Sequence, residues 1–154
     1  MIPSQNCSQS PTGSSILISI KPRYADLILA GSKRVELRRA APTQAIKAMA
    51  IYSSSPIQAI VALVEIVEVI EASASRLWEI ARDNGGGLTR SELRDYYSGK
   101  KTGFAFMLGK VRQFDSPIKP RIIFSKFTPP QSFRYLTPDE LKKLEKLLIK
   151  RKKT

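Results

Sequence analysis

The sequence predicts an α+β fold, and three observations predict it. Short β-branched runs bounded by turn residues read as strands, longer segments with apolar spacing of three and four read as helices, and the two kinds intermingle with no internal repeat. The length of 154 residues suits a single core, since domains typically run to roughly 100–150 residues.

"ILISI", Ile16 to Ile20, is short and β-branched and is read as a strand. "KPRYADLILAG" is read as a helix: Pro22 suits the first turn, Tyr24, Leu27 and Ile28 share a face, and Gly31 is a natural C-cap. "RVELR" alternates, with Val35 and Leu37 on one face and Glu36 and Arg38 on the other, as a half-buried strand does. "MAIYSS" and "AIVALVEIVEVIEA" flank a Ser-Pro turn and suggest an antiparallel pair. Glu65, Glu68 and Glu71 recur at a spacing that a helix also allows, but the density of Val and Ile favours a bulged strand. "SASRLWEIARDN" is read as a helix with Trp78 in the core. Gly85-Gly86-Gly87 is read as a flexible connector, because it lacks the Lys-Ser or Lys-Thr that follows a P-loop. Thr89 and Glu92 form a capping box for "RSELRDYY", and "TGFAFMLGKVRQF" reads as another strand. Thr137, Pro138 and Glu140 open a last helix, amphipathic through Leu141, Leu144, Leu147 and Leu148. It is expected to dock on the domain, while its basic end at Lys150 to Lys153 keeps contact with nucleic acid or an anionic membrane open.

Composition narrows the function. Lys and Arg number 26 against 13 Asp and Glu, a formal charge of +13 and a pI near 10.1. Such an excess favours polyanionic partners, most often nucleic acid, against the alternative of charge spread without purpose. There is no His, and the single Cys7 lies in a polar leader. A zinc site and a disulfide framework are therefore not expected, nor is any other metal or cofactor, and proton transfer would fall to Lys, Glu, Asp, Tyr or Ser. The leader, residues 1–15, has neither the basic nor the apolar region of a signal peptide and is expected to be disordered. "AIVALVEIVEVI" is too short and too acidic to span a bilayer. A soluble, cytoplasmic protein is expected.

The stretch "GSKRVELRR" carries the strongest chemical signal. Lys33 stands where the turn feeds the strand, and Glu36 and Arg38 point to one side. Arg offers a fork to phosphate and Glu accepts from an amine edge, so the trio suits a polar ligand. The alternative is a surface ion-pair strip worth about 0–1 kcal/mol. Lys21 and Tyr24 lie one helix upstream and are candidates for the same pocket, although Tyr24 also fits a core-edge aromatic. Lys101, with Lys100, precedes the late strand and is either a phosphate contact or part of a solvated turn.

"GSKRVELR" resembles the Gly-x-Lys-x-x-Glu-x-Arg signature of the ASCH (activating signal cointegrator homology) superfamily. "LISIKPRYADLILAG" is similar to that family's opening strand and helix, and "KKTGFAFMLGKV" to its late Gly-aromatic strand. The resemblance spans residues 16–136, leaving 137–154 as a C-terminal basic helix and tail. It implies a PUA-like β-barrel of mostly antiparallel strands with flanking helices, and a cleft beside the first helix that binds RNA or modified nucleosides. Lys33, Glu36 and Arg38 would line it and Gly31 would be structural. The expected function is RNA or nucleotide binding with a regulatory role, through Lys21, Tyr24, Lys33, Glu36, Arg38 and Lys101. Some relatives hydrolyse acetylated cytidine with the signature Lys, a Thr three residues later and a later Glu; here Glu36 stands in place of that Thr. Others are ribonucleases, and Lys and Tyr suit cleavage without a metal. If the chain is an enzyme, the resemblance implies a hydrolase with Lys33 and Glu36 catalytic. A regulator contacting DNA or protein is the further alternative.

Overall fold

The structure, a computed structural model, describes residues 13–152, with side chains as far as Leu148. Its elements are β1 (Ser14–Ile20), α1 (Pro22–Leu29), β2 (Val35–Arg38), β3 (Ile46–Ser53), β4 (Ala59–Ala72), α2 (Ala74–Asp83), α3 (Arg90–Tyr96), β5 (Gly103–Ile118), a 3₁₀ turn (Pro120–Ile122), β6 (Phe133–Tyr135) and α4 (Pro138–Lys152). The strands make one mixed sheet in the order β2-β5-β4-β3-β1-β6, curled into a half-barrel. Among the described strands only the β1 and β3 pair is parallel. That pairing needs a crossover, which α1 and β2 supply.

Apolar residues of β1 are buried on both faces of the sheet, which explains why "ILISI" shows no alternation. Ile16 and Ile18 pack with Ala25 and Ile28 of α1, Ile51, Val64 and Phe106. Leu17 faces the opposite layer of Tyr52, Leu63, Phe114, Leu144 and Leu148. Docking of α4 as expected is what completes that second layer, with Leu144 fully buried. A third layer forms where Leu77 and Ile80 of α2 and Leu93 of α3 close over Val35, Leu37 and Ala105.

The β4 and β5 strands shift register three times, between Ile60 and Ala62, Val64 and Ile66, and Ile66 and Glu68. Each irregularity resets the alternation, so Glu65, Glu68 and Glu71 are all exposed although their spacing is not that of a regular strand. Both capping boxes form: Thr89 with Glu92, and Thr137 with Glu140.

Several expectations are corrected. β1 begins at Ser14, inside the segment read as leader, and the rest of that segment through residue 12 lies outside the described residues, as do the side chains of Lys150 to Lys153. "RVELR" is buried on both faces, because Glu36 is covered as well as Val35 and Leu37. The short β6 edge strand pairs with β1. It is anchored by Arg134, which grips both oxygens of Glu140 at 3.0 Å while lying over the Phe124 ring.

Candidate functional site

The site is built where α1 hands the chain to β2. Gly31 adopts φ +84 with nothing near its Cβ position, so a positive φ is the reason for glycine here. The amides of Ser32 and Lys33 then bond back to the Leu27 carbonyl at 3.0 and 3.1 Å. This tight exit turns the Lys33 side chain inward, where Nζ donates to the Gly86 carbonyl at 2.6 Å, lies 3.5 Å from Glu36 Oε1 and sits 5.3 Å from the Tyr24 ring centre. Alternation along β2 sends Glu36 and Arg38 to the same side. Glu36 Oε2 accepts from Arg38 Nε at 3.1 Å, and the Arg38 terminal nitrogen donates to the Ser19 carbonyl at 2.6 Å. The result is a continuous chain from the Gly86 carbonyl through Lys33, Glu36 and Arg38 to the Ser19 carbonyl.

This chain is no surface strip, since Lys33 is 4% exposed and Glu36 7%. A buried ion pair is held for geometry more than for stability, because desolvation offsets much of the attraction. Burial holds the Lys33 ammonium below its ordinary 10.5, with Arg38 pressing the same way and Glu36 opposing. The unfolded chain therefore binds more protons than the folded one as pH approaches 10.5 from below, so this group's contribution to stability rises with pH in that window. The expected result is that any stability advantage of Lys33→Met over wild type, read from melting temperatures, shrinks as pH rises toward 10.5. An advantage that is constant or grows would contradict the burial of a charged ammonium.

The chain forms the floor of a cleft of about 500 Å³. Tyr24 and Tyr96 stand among its walls, Lys21 and Arg23 at its α1 side, and Ser19, Ser54, Glu92 and Gln131 add to its polar lining. Arg23 lies 4.5 Å from the Tyr24 ring centre and donates to its hydroxyl. Tyr96 donates to the Leu37 carbonyl at 3.4 Å, and burial raises its phenol pKa.

Five of the six residues expected at the site, Lys21, Tyr24, Lys33, Glu36 and Arg38, line this one cleft. Lys101 is exposed in the turn before β5 and is not among the lining residues. Sequence reasoning missed Arg23, Glu92, Tyr96 and Gln131. Glu92 and Tyr96 carried a signal, being one turn apart on α3.

The reading of Gly85-Gly86-Gly87 as a flexible connector is corrected. A Cβ on Gly85 would meet the Ser32 carbonyl oxygen at 1.9 Å, and one on Gly86 would meet Ala81 Cβ at 2.6 Å. These glycines let two backbones touch, and the contact presents the Gly86 carbonyl to Lys33.

The family model for the ASCH domain matches residues 18–117. This chain belongs to the ASCH family. It is similar to an "ASCH domain-containing ribonuclease" of Zymomonas mobilis, 29% identical over 144 residues that cover 89% of this chain and 94% of the relative. A crystal structure of ASCH from Zymomonas mobilis superposes with a TM-score of 0.79 at 28% identity, covering 87% of this chain and 95% of that one. A Ser-to-Ala variant of the same protein gives 0.80 at 27% identity, covering 90% and 99%. The fold class is thus the PUA-like α+β fold of ASCH proteins. Among the described residues no helix is long and apolar enough to cross a membrane.

Proposed function

We propose that this ASCH protein binds single-stranded RNA in the cleft beside α1 and cleaves it. The observation that carries the reading is the buried Lys33, Glu36 and Arg38 chain at the floor of a cleft walled by two tyrosines. Cations at the floor suit a phosphate, tyrosine rings suit a base, and the charge of +13 suits the rest of a polyanion. Similarity to a relative described as a ribonuclease supports cleavage over binding alone.

In the proposed step the substrate's 2′-oxygen attacks phosphorus and the bond from phosphorus to the 5′-oxygen breaks. Glu36 takes the 2′-hydroxyl proton and Lys33, made more acidic by burial, gives one to the departing 5′-oxygen. Arg38 and the Lys33 charge steady the developing phosphorane. The products carry a 2′,3′-cyclic phosphate and a 5′-hydroxyl. Lys33 and Glu36, 3.5 Å apart, then exchange the proton that restores both.

The hydrolysis of acetylated cytidine is supported by one feature, the placement of Glu92 in the cleft lining. Against it, the Glu92 carboxylate accepts from the Thr89 amide at 2.8 Å, and Glu36 stands where the relatives that hydrolyse acetylated cytidine have Thr.

The test incubates the protein with single-stranded RNA, acetylcytidine and duplex DNA, reads the end groups of any product, and measures affinity against salt. Cyclic-phosphate ends from RNA, and a slope of log K against log salt near −3 or steeper, are expected. Binding of RNA without cleavage would leave a binding module, turnover of acetylcytidine alone would make the chain an amidohydrolase, and tighter binding to duplex DNA would favour a regulator.

A further inference from the structure

Trp78 is the chain's single tryptophan and takes no part in the cleft. It is half-buried on α2, packed against the third core layer, and borders a hollow of about 70 Å³ whose other walls include Leu93, Arg90 and Arg94. Arg90 and Arg94 lie one turn apart on α3, both exposed, and neither guanidinium has a hydrogen bond or ion pair among the described residues. A like-charge pair at this spacing is unfavourable for the helix itself. Folding therefore gives no reason for two unopposed guanidinium groups beside an accessible indole.

The position of α3 supplies one. At about 100° per residue, Glu92 and Tyr96 share the side that lines the cleft, while Arg90, Leu93 and Arg94 share the side that lines the hollow. One helix, roughly 10–12 Å across with its side chains, divides the two places. An RNA strand seated in the cleft has only to cross α3 for its next nucleotides to reach Trp78.

We propose that Trp78, Arg90 and Arg94 form a second nucleotide subsite on the RNA path, where a base stacks on the indole and a backbone phosphate lies against the two guanidinium groups. The proposal rests on the reading of the cleft as an RNA site. The chemistry fits any sequence, since every base has a face to stack and every nucleotide a phosphate. The hollow is too small to enclose a base, so the base lies over the ring.

Because Trp78 is the only tryptophan, its emission reports this subsite directly. The full chain is titrated with a 2′-O-methyl octanucleotide and with the corresponding dinucleotide, both resistant to 2′-oxygen attack. Tryptophan emission and the anisotropy of the labelled oligonucleotide are followed together. The octanucleotide should change the emission with the same midpoint as the anisotropy, and the dinucleotide should bind with little change in emission. Trp78→Leu, which keeps an apolar group on the core side, should weaken the octanucleotide about tenfold and leave the dinucleotide unaffected. The double substitution Arg90→Gln and Arg94→Gln, on exposed positions that endanger no packing, should flatten the octanucleotide salt slope by about 1.4. Octanucleotide binding with unchanged emission, or with the affinity and salt slope of the variants at wild-type values, would overturn the subsite and leave the cleft reading standing. Failure of both oligonucleotides to bind would instead remove the cleft reading, and the subsite with it.

Discussion

Replacing Lys33 by Met is expected to lower RNA cleavage by about 10²- to 10⁴-fold, with RNA affinity falling tenfold or less. Met keeps most of the lysine stem, so the packing against Tyr24 survives, and it removes the group that the proposed step uses to protonate the leaving oxygen. Two local losses accompany it. The Gly86 carbonyl, on a buried residue, loses the donor it holds at 2.6 Å, and Glu36 keeps only Arg38 as a partner. Relief of a buried ammonium works in the other direction, so stability should change by no more than about 1–2 kcal/mol. Glu36→Gln, which keeps shape and one acceptor, should lose a similar factor in rate if the carboxylate takes the 2′-hydroxyl proton. The wild-type rate should also decline on the alkaline side at a pH below 10.5, where the Lys33 ammonium gives up its proton. Single-turnover cleavage of a saturating oligonucleotide separates rate from affinity. Retention of more than a third of the wild-type rate by Lys33→Met would remove Lys33 from the chemistry and leave it a structural cation.

How far this site was legible in the sequence depends on the distance over which each residue is positioned. Lys33, Glu36 and Arg38 were legible because a helix, the positive-φ Gly31 just past its C-cap and an alternating strand place them locally. Lys21 and Tyr24 followed from the length of one short helix. Their burial was not legible, since lysine is almost never fully buried and only the packing of the glycine loop over the turn covers this one. Glu92 and Tyr96 reach the cleft because α2 and α3 fold over β2, a contact that no local pattern encodes. No local pattern encodes β6 either, whose three residues are too few to show a period, or the parallel pairing of β1 with β3 across the crossover. Gly85-Gly86-Gly87 misled for a different reason. A glycine that frees the chain and a glycine that lets another backbone approach are the same letter, and only the neighbour distinguishes them.

That ambiguity can be settled by experiment, because two glycines here share a backbone conformation and differ in surroundings. Gly31 and Gly85 both have positive φ, at +84 and +67. A Cβ on Gly31 meets nothing within 4 Å, so Gly31→Ala should cost only the strain of a left-handed alanine, about 1–2 kcal/mol. A Cβ on Gly85 lies 1.9 Å from the Ser32 carbonyl oxygen and 3.0 Å from its carbon, both backbone atoms in the tight turn that carries Lys33. Neither side yields easily, because the adjacent Asn84 carbonyl accepts the Arg34 amide at 2.8 Å and Gly86 is pressed against Ala81. Gly85→Ala should therefore add a forced separation of two backbones to the same strain, for a total near 3–4 kcal/mol. In a chain of this size that is a drop in melting temperature of roughly 6–16 °C. The separation would also draw the Gly86 carbonyl away from Lys33 Nζ, so the folded fraction of Gly85→Ala should lose cleavage while that of Gly31→Ala keeps it. Chemical denaturation of both variants, with cleavage rates measured well below the melting transition, makes the comparison. Equal destabilisation by the two alanines would mean that the glycine loop is a free connector after all, and that the Lys33 ammonium is held in place by Glu36 alone.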